Sequence, residues 1–207
     1  MTAIFVTSTD TGAGKTLITG LLARFLLSKG HSAVTQKWIQ TGRVRDYPPH
    51  MACYNFKFAS SPHLAAKLEN RTISIDKITK SFKALTDRFD FVIVEGTGGV
   101  LVPFNDKRLI IDIVKKLSLP VIVVIGNKLG AINHALLTIE ALRRRKIEII
   151  GLIFNNRFKN VNSLILKDNV DIVKKLTGEN VLGVLPYSKD RAKLYRAFLP
   201  IGRGVAV

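Results

Sequence analysis

Short apolar runs alternate with longer amphipathic stretches along the whole chain. Ala3–Thr7, Ser32–Lys37, Phe91–Glu95, Pro120–Ile125, Ile149–Phe154 and Val181–Leu185 are rich in Val and Ile and predict strands. Between them, Lys15–Ser28, Ile75–Arg88, Leu109–Lys116, Ala131–Arg145 and Val161–Lys175 predict helices. In Ala131–Arg145, residues Leu136, Leu137, Ile139, Ala141 and Leu142 form an apolar stripe at helical spacing. The strand runs are almost wholly apolar, as a parallel sheet covered on both faces requires. The alternation implies a doubly wound, mainly parallel α/β fold with helices on both faces. Gln40–Ser61, with Pro48-Pro49 and several aromatics, breaks the pattern and predicts a long loop, a common seat of function. A chain of 207 residues fits one domain, 1–207.

Composition narrows the picture. No apolar run approaches the length of a membrane span. The first residues carry no basic segment, and Asp10 interrupts them, so a secretory leader is not expected. The single cysteine, Cys53, excludes an intrachain disulfide and fits a reducing, cytoplasmic setting. The net charge of +17 raises the question of a polyanionic partner. Yet Lys115-Lys116, Arg143–Lys146 and Lys174-Lys175 fall where helices are predicted to end, where cations complement the helix dipole. No aromatics are interleaved to stack bases. Neither a nucleic-acid nor a membrane partner is expected, although the charge would attract small anionic substrates.

Candidate chemistry begins at Ser8-Thr9-Asp10-Thr11-Gly12-Ala13-Gly14-Lys15-Thr16, between the first strand and the first helix. The phosphate-loop consensus has a glycine at position 9, where this chain has Thr9. The parts that touch phosphate are nonetheless present. Backbone N–H groups and the helix N-terminus would cradle the oxygens. Gly12 and Gly14 permit the close approach, Lys15 would reach the β- and γ-phosphates, and the Thr16 hydroxyl would bind Mg²⁺. Such a loop does not identify a reaction. Asp10 stands where partitioning ATPases carry a second lysine, which disfavours that class. A second acid ends the strand Phe91–Glu95 and is followed by Gly96-Thr97-Gly98-Gly99. Glu95 is therefore placed where a metal-binding carboxylate is expected, at the carboxyl end of a strand.

Five segments, in order, resemble the dethiobiotin synthetase family. They are Thr9–Thr16, Lys37-Trp38-Ile39-Gln40-Thr41-Gly42, Ser60–Ala65, Glu95–Gly99 and Gly126–His134. The family's sequence has glycine where Ser8 stands, proline for Trp38 and alanine for Thr97. The resemblance implies a P-loop NTPase-type fold that uses ATP and Mg²⁺ to join CO₂ to 7,8-diaminononanoate and close a cyclic urea. It implies catalytic roles for Lys37, Lys15 and Thr11, and substrate contacts from Thr41 and Lys37. It implies ATP contacts from Gly12, Ala13, Gly14, Lys15, Thr16, Leu17, Asp46, Glu95, Gly96, Thr97 and Gly98. Asn155-Asn156 would read the adenine edge, and Pro186-Tyr187-Ser188 with Asp190 would be the family's last nucleotide-contacting segment. The implied metal ligands are Thr16, Glu95 and Asp46, the last as the only acid in a segment, Gly42–Asn55, that is shorter than usual in the family. Gly126–His134 is implied to lie at a homodimer interface, with His134 structural and Asn133 a helix cap. The alternatives are a partitioning-type or nucleic-acid-associated P-loop ATPase and a catalytically silent relative.

Overall fold

The computed structural model describes residues 2–42 and 51–205. Asp46 lies outside the described residues. One seven-stranded sheet runs in the order β3-β2-β4-β1-β5-β6-β7, and every strand pair in it is parallel. The strands are β1 (Thr2–Ser8), β2 (Ala33–Thr41), β3 (Met51–Phe56), β4 (Phe91–Glu95), β5 (Val121–Gly126), β6 (Ile149–Asn155) and β7 (Val181–Leu185). The helices are α1 (Lys15–Ser28), α2 (Pro62–Leu68), α3 (Ile75–Thr86), α4 (Ile110–Lys116), α5 (Ala131–Arg144), α6 (Ser163–Thr177) and α7 (Arg191–Val205).

The all-apolar strands bury both faces, and alternate residues feed two cores. Ile4, Val6, Ile93, Ile122, Val124 and Ile153 pack under α1 and α7. Phe5, Val92, Val94, Val121, Val123, Leu152 and Phe154 pack against the helices of the other face. This is the doubly wound arrangement that the sequence predicts. Among the described residues no helix is long and apolar enough to cross a membrane. The basic clusters also fall as expected: Lys115 and Lys116, Arg143 and Arg144, and Lys174 and Lys175 occupy the last turns of α4, α5 and α6.

Several expectations need correction. β2 continues beyond Lys37 to Thr41, because Trp38, Ile39 and Gln40 are buried between neighbouring strands. The predicted loop Gln40–Ser61 contains the edge strand β3, in which Tyr54 and Phe56 face inward and Asn55 outward. Arg71 donates to the Asn55 carbonyl at 2.7 Å and covers part of that edge. Pro62 opens α2, a favourable first position. α7 is absent from the sequence reading, which its internal Pro200 obscures. In α5, Leu137 points outward, while Ala135, Ile139 and Leu142 form the buried face. Its N-cap is Gly130 at φ 87°, and Asn133 lies inside the first turn rather than at the cap.

Candidate active site

The chain leaves β1 into the phosphate loop, at the centre of the sheet and beside the carboxyl ends of β4 and β5. Open α/β sheets bind ligands at those ends. Gly12 and Gly14 take φ of 78° and 107°, in the region glycine favours. At Gly14 a Cβ would lie 2.1 Å from Asn155 Nδ2, so two independent constraints demand glycine there.

Three side chains from three elements meet at Glu95. The carboxylate is 1% exposed at the end of β4. Its Oε1 accepts from the Thr16 hydroxyl at 2.8 Å and pairs with Lys37 Nζ at 3.0 Å. Lys37 reaches it because β2 and β4 are in register, with Lys37 opposite Glu95. Lys37 thus sits in the middle of β2, not at its end as the shorter predicted strand implied. Two oxygen donors this close form a hard-ligand corner that suits Mg²⁺, which takes one or two protein oxygens and completes its shell with phosphate and water.

Lys15 donates to the Ser8 hydroxyl at 2.8 Å, and Ser8 donates in turn to the Asp10 carbonyl at 2.6 Å. Of the three departures from the family pattern, Ser8 therefore touches a charged group. Trp38 is buried against Phe5 with ring centroids 5.1 Å apart. Thr97 donates to the Ile39 carbonyl and ties the glycine turn to β2.

Burial holds the Lys15 ammonium down, to about 8. The attraction of Glu95 opposes the shift and repulsion from Lys37 adds to it. Phosphate charge would raise this pKa again, so nucleotide binding above pH 8 takes up a proton. Nucleotide affinity should therefore fall as pH rises past about 8. Stability of the free protein should move the other way. The unfolded chain holds that proton up to the ordinary lysine range, so stability rises with pH across the same window. Titrating ADP affinity and urea unfolding between pH 7 and 10 would show both slopes; a slope in affinity that survives in Lys15→Arg would place the titration on another group.

A cleft of about 710 Å³ gathers these groups. Thr11, Gly12, Gly14, Lys15, Thr16, Leu17, Lys37, Thr41, Glu95, Gly96, Thr97 and Gly98 line it. A narrower groove of about 370 Å³ adjoins it, lined by Gly14, Leu17, Asn155, Pro186, Tyr187 and Ser188, with Arg157 and Leu194. Ala13 is buried, and its carbonyl accepts from Asn155 Nδ2 at 2.8 Å. Asn156 and Asp190 line neither space. Asn156 accepts from Asn127 Nδ2 at 2.9 Å, and Asp190 caps α7 by accepting from the Ala192 and Lys193 amides. The sequence reading missed Gln40, Ser60, Ser61 and Arg157, which also line the larger cleft. The Lys37–Gly42 and Ser60–Ala65 segments held the first three in plain view.

Two buried carboxamides, Asn127 and Asn169, form a chain with the half-buried Asn156. Asn169 donates to Asn127 Oδ1 at 2.8 Å, and Asn127 donates to Asn156 Oδ1 and to the Leu166 carbonyl. The chain ties α6 to the ends of β5 and β6, which bear the walls of the groove. Asn127→Ala takes the donor from Asn156 Oδ1, while Asn169 keeps its bond to the Lys128 carbonyl at 3.0 Å, so the expected cost is about 1–3 kcal/mol in total. A clear drop in the urea midpoint at unchanged m-value is expected, and an unchanged midpoint would show that the chain does not hold these elements together.

Fold and loop together define a P-loop nucleotide-binding protein. Residues 2–193 match the AAA domain family. Among solved structures, the fold is similar to the MinC:MinD cell division protein complex of Aquifex aeolicus, with a TM-score of 0.65 at 14% identity, covering 98% of this chain and 95% of that one. Closer in sequence is the ATP-dependent dethiobiotin synthetase of Clostridium perfringens, 34% identical across 92% of both chains. The enzyme of the same name from Halalkalibacterium halodurans is 38% identical over 91% of this chain and 86% of its own. The chain belongs to the dethiobiotin synthetase family.

Proposed function

We propose that this chain carboxylates 7,8-diaminononanoate with CO₂ and closes the ring with ATP, giving dethiobiotin, ADP and phosphate. The observation that carries the reading is the convergence of Thr16 and Lys37 on Glu95 beside Lys15, in a cleft walled by the phosphate loop. The family membership supports the same reaction.

One amine of the substrate attacks CO₂, forming an N–C bond and releasing a proton to give a carbamate. A carbamate oxygen takes the γ-phosphoryl group, and ADP departs. The second amine then attacks the carbonyl carbon of the mixed anhydride, phosphate and the amine's proton leave, and the second N–C bond closes the ring. Phosphoryl transfer asks the protein mainly for positioning and charge neutralisation. The Lys15 ammonium and the loop amides hold the phosphates. The Lys37 ammonium faces both the carbamate oxygens and the transferring group, where a fixed cation counts most. The Thr11 and Thr41 hydroxyls line the same cleft and would orient the carbamate.

Thr16 and Glu95 would hold Mg²⁺, with Asp46 as a third ligand. When bound, the ion would neutralise phosphate charge as it moves from γ-phosphate to product. The adenine would lie in the narrower groove by Asn155, Pro186, Tyr187 and Ser188. Asn156 and Asp190 would shape that groove from behind. Leu129 just before α5 and Leu137 midway along it, 79% and 55% exposed, support a second copy of the chain seated there. The enzyme would work as one domain over 1–207, in the cytoplasm.

The deciding test mixes the protein with ATP, Mg²⁺, labelled bicarbonate and 7,8-diaminononanoate. Acid-stable label in dethiobiotin, formed with ADP and only when both ATP and diamine are present, is the expected result. ATP hydrolysis that ignores the diamine would overturn the reading.

A further inference from the structure

Arg157 follows β6 by two residues and belongs to none of the motifs that point to the site. Gly14, Leu17 and Arg157 line both the larger cleft and the narrower groove. Of these three, Arg157 alone carries charge. It is exposed, and among the described residues it pairs with no carboxylate. Its guanidinium donates instead to the Gly12 carbonyl, while Asn155 donates to the next carbonyl, Ala13. Asn155 at the end of β6 and Arg157 two residues beyond it stitch this segment to consecutive carbonyls of the phosphate loop. Asn155 is buried in making its bond, whereas Arg157 stands in the open mouth between the two spaces. A guanidinium presents five donors in a planar fork, so one bond to Gly12 leaves others to turn toward a ligand.

We infer that Arg157 binds the α-phosphate of the nucleotide, bridging it to the Gly12 carbonyl. This rests on the reading that one ATP spans the two spaces. With the γ-phosphate at Lys15 and the base beyond Leu17, the junction is where the α-phosphate and ribose must pass. A planar, permanently charged fork suits a phosphate there better than it suits a ribose hydroxyl. Arg157 is thus an affinity-determining residue, and it lies outside the chemistry at the γ-phosphate.

The test measures equilibrium affinity for ADP, and for AMP and adenosine by competition, without diamine. Arg157→Ala should weaken ADP and AMP by about tenfold or more, as expected for a charge-assisted hydrogen bond, and leave adenosine unchanged. Arg157→Lys should recover part of the loss. Arg157→Gln keeps a donor for the Gly12 carbonyl but no charge, and should bind as poorly as the alanine variant. Wild-type affinity in Arg157→Gln would reduce the residue to a loop staple and overturn the inference. An equal loss for adenosine would do so too, and so would an equal loss in Lys159→Ala, which removes a neighbouring exposed charge. If the unaltered protein bound no ADP, the reading of the two spaces as one nucleotide site would fall first. If it bound ADP and Arg157→Ala matched it, only the role of Arg157 would fall.

Discussion

Replacing Lys37 by alanine should lower turnover by about 10³-fold, the range for removing one fixed charge-stabilising donor from a transition state. Nucleotide affinity should remain near that of the unaltered protein. Lys37 reaches the cleft from β2, while the phosphates are held by the loop and by Lys15. The separation of kcat from affinity is what distinguishes a cation used on the carbamate from one used to hold ATP. A second readout comes from the pair's neighbour. Lys37 repels the Lys15 ammonium and helps keep its pKa near 8. Without Lys37 that pKa should rise, and the fall in nucleotide affinity should begin at higher pH. Single-turnover kinetics and ADP titrations on the same preparation would test both. A variant with wild-type kcat would remove Lys37 from the reaction, and a fixed pH onset would deny its coupling to Lys15.

What the sequence reveals of this site follows from how local each signal is. The phosphate loop and Glu95 are legible because strand, glycines and charged group are contiguous in the chain. Lys37 alone would read as an ordinary strand-end lysine. Only its motif points to the cleft, and only the β2–β4 register explains how it meets Glu95. Arg157 carries no motif at all. Its place depends on where β6 ends against the loop, which is a property of the sheet order rather than of neighbouring residues. The fold shows the same division. Central strands are continuous apolar runs and are found easily. β3 is an edge strand with one face open, so its sequence mixes Asn55 among aromatics and reads as loop. α7 hides behind Pro200, which local propensity treats as a break. Burial of Leu194, Phe198 and Ile201 beneath it overrides that preference.

The second large effect is expected at Glu95. Glu95→Gln keeps the size of the side chain and an oxygen that can accept from both Thr16 and Lys37. What it removes is one buried negative charge. If that charge holds Mg²⁺ against the γ-phosphate, turnover should drop by about 10²–10³-fold, since such stabilisation is worth several kcal/mol. Nucleotide binding should also lose most of its dependence on Mg²⁺. The effect on Lys15 has the sign opposite to that in Lys37→Ala. Glu95 is the strongest influence raising the Lys15 pKa toward its ordinary value. Its loss should push that pKa below 8, so the decline in nucleotide affinity would begin at lower pH. The two variants then shift one titration in opposite directions while both reduce turnover, a pattern that loosened packing around the cleft would not produce. Magnesium titrations of ADP affinity from pH 6.5 to 9 would read both effects. Unchanged Mg²⁺ dependence with an unchanged onset would leave Glu95 a structural partner of Thr16 and Lys37, and the metal would need a different carboxylate.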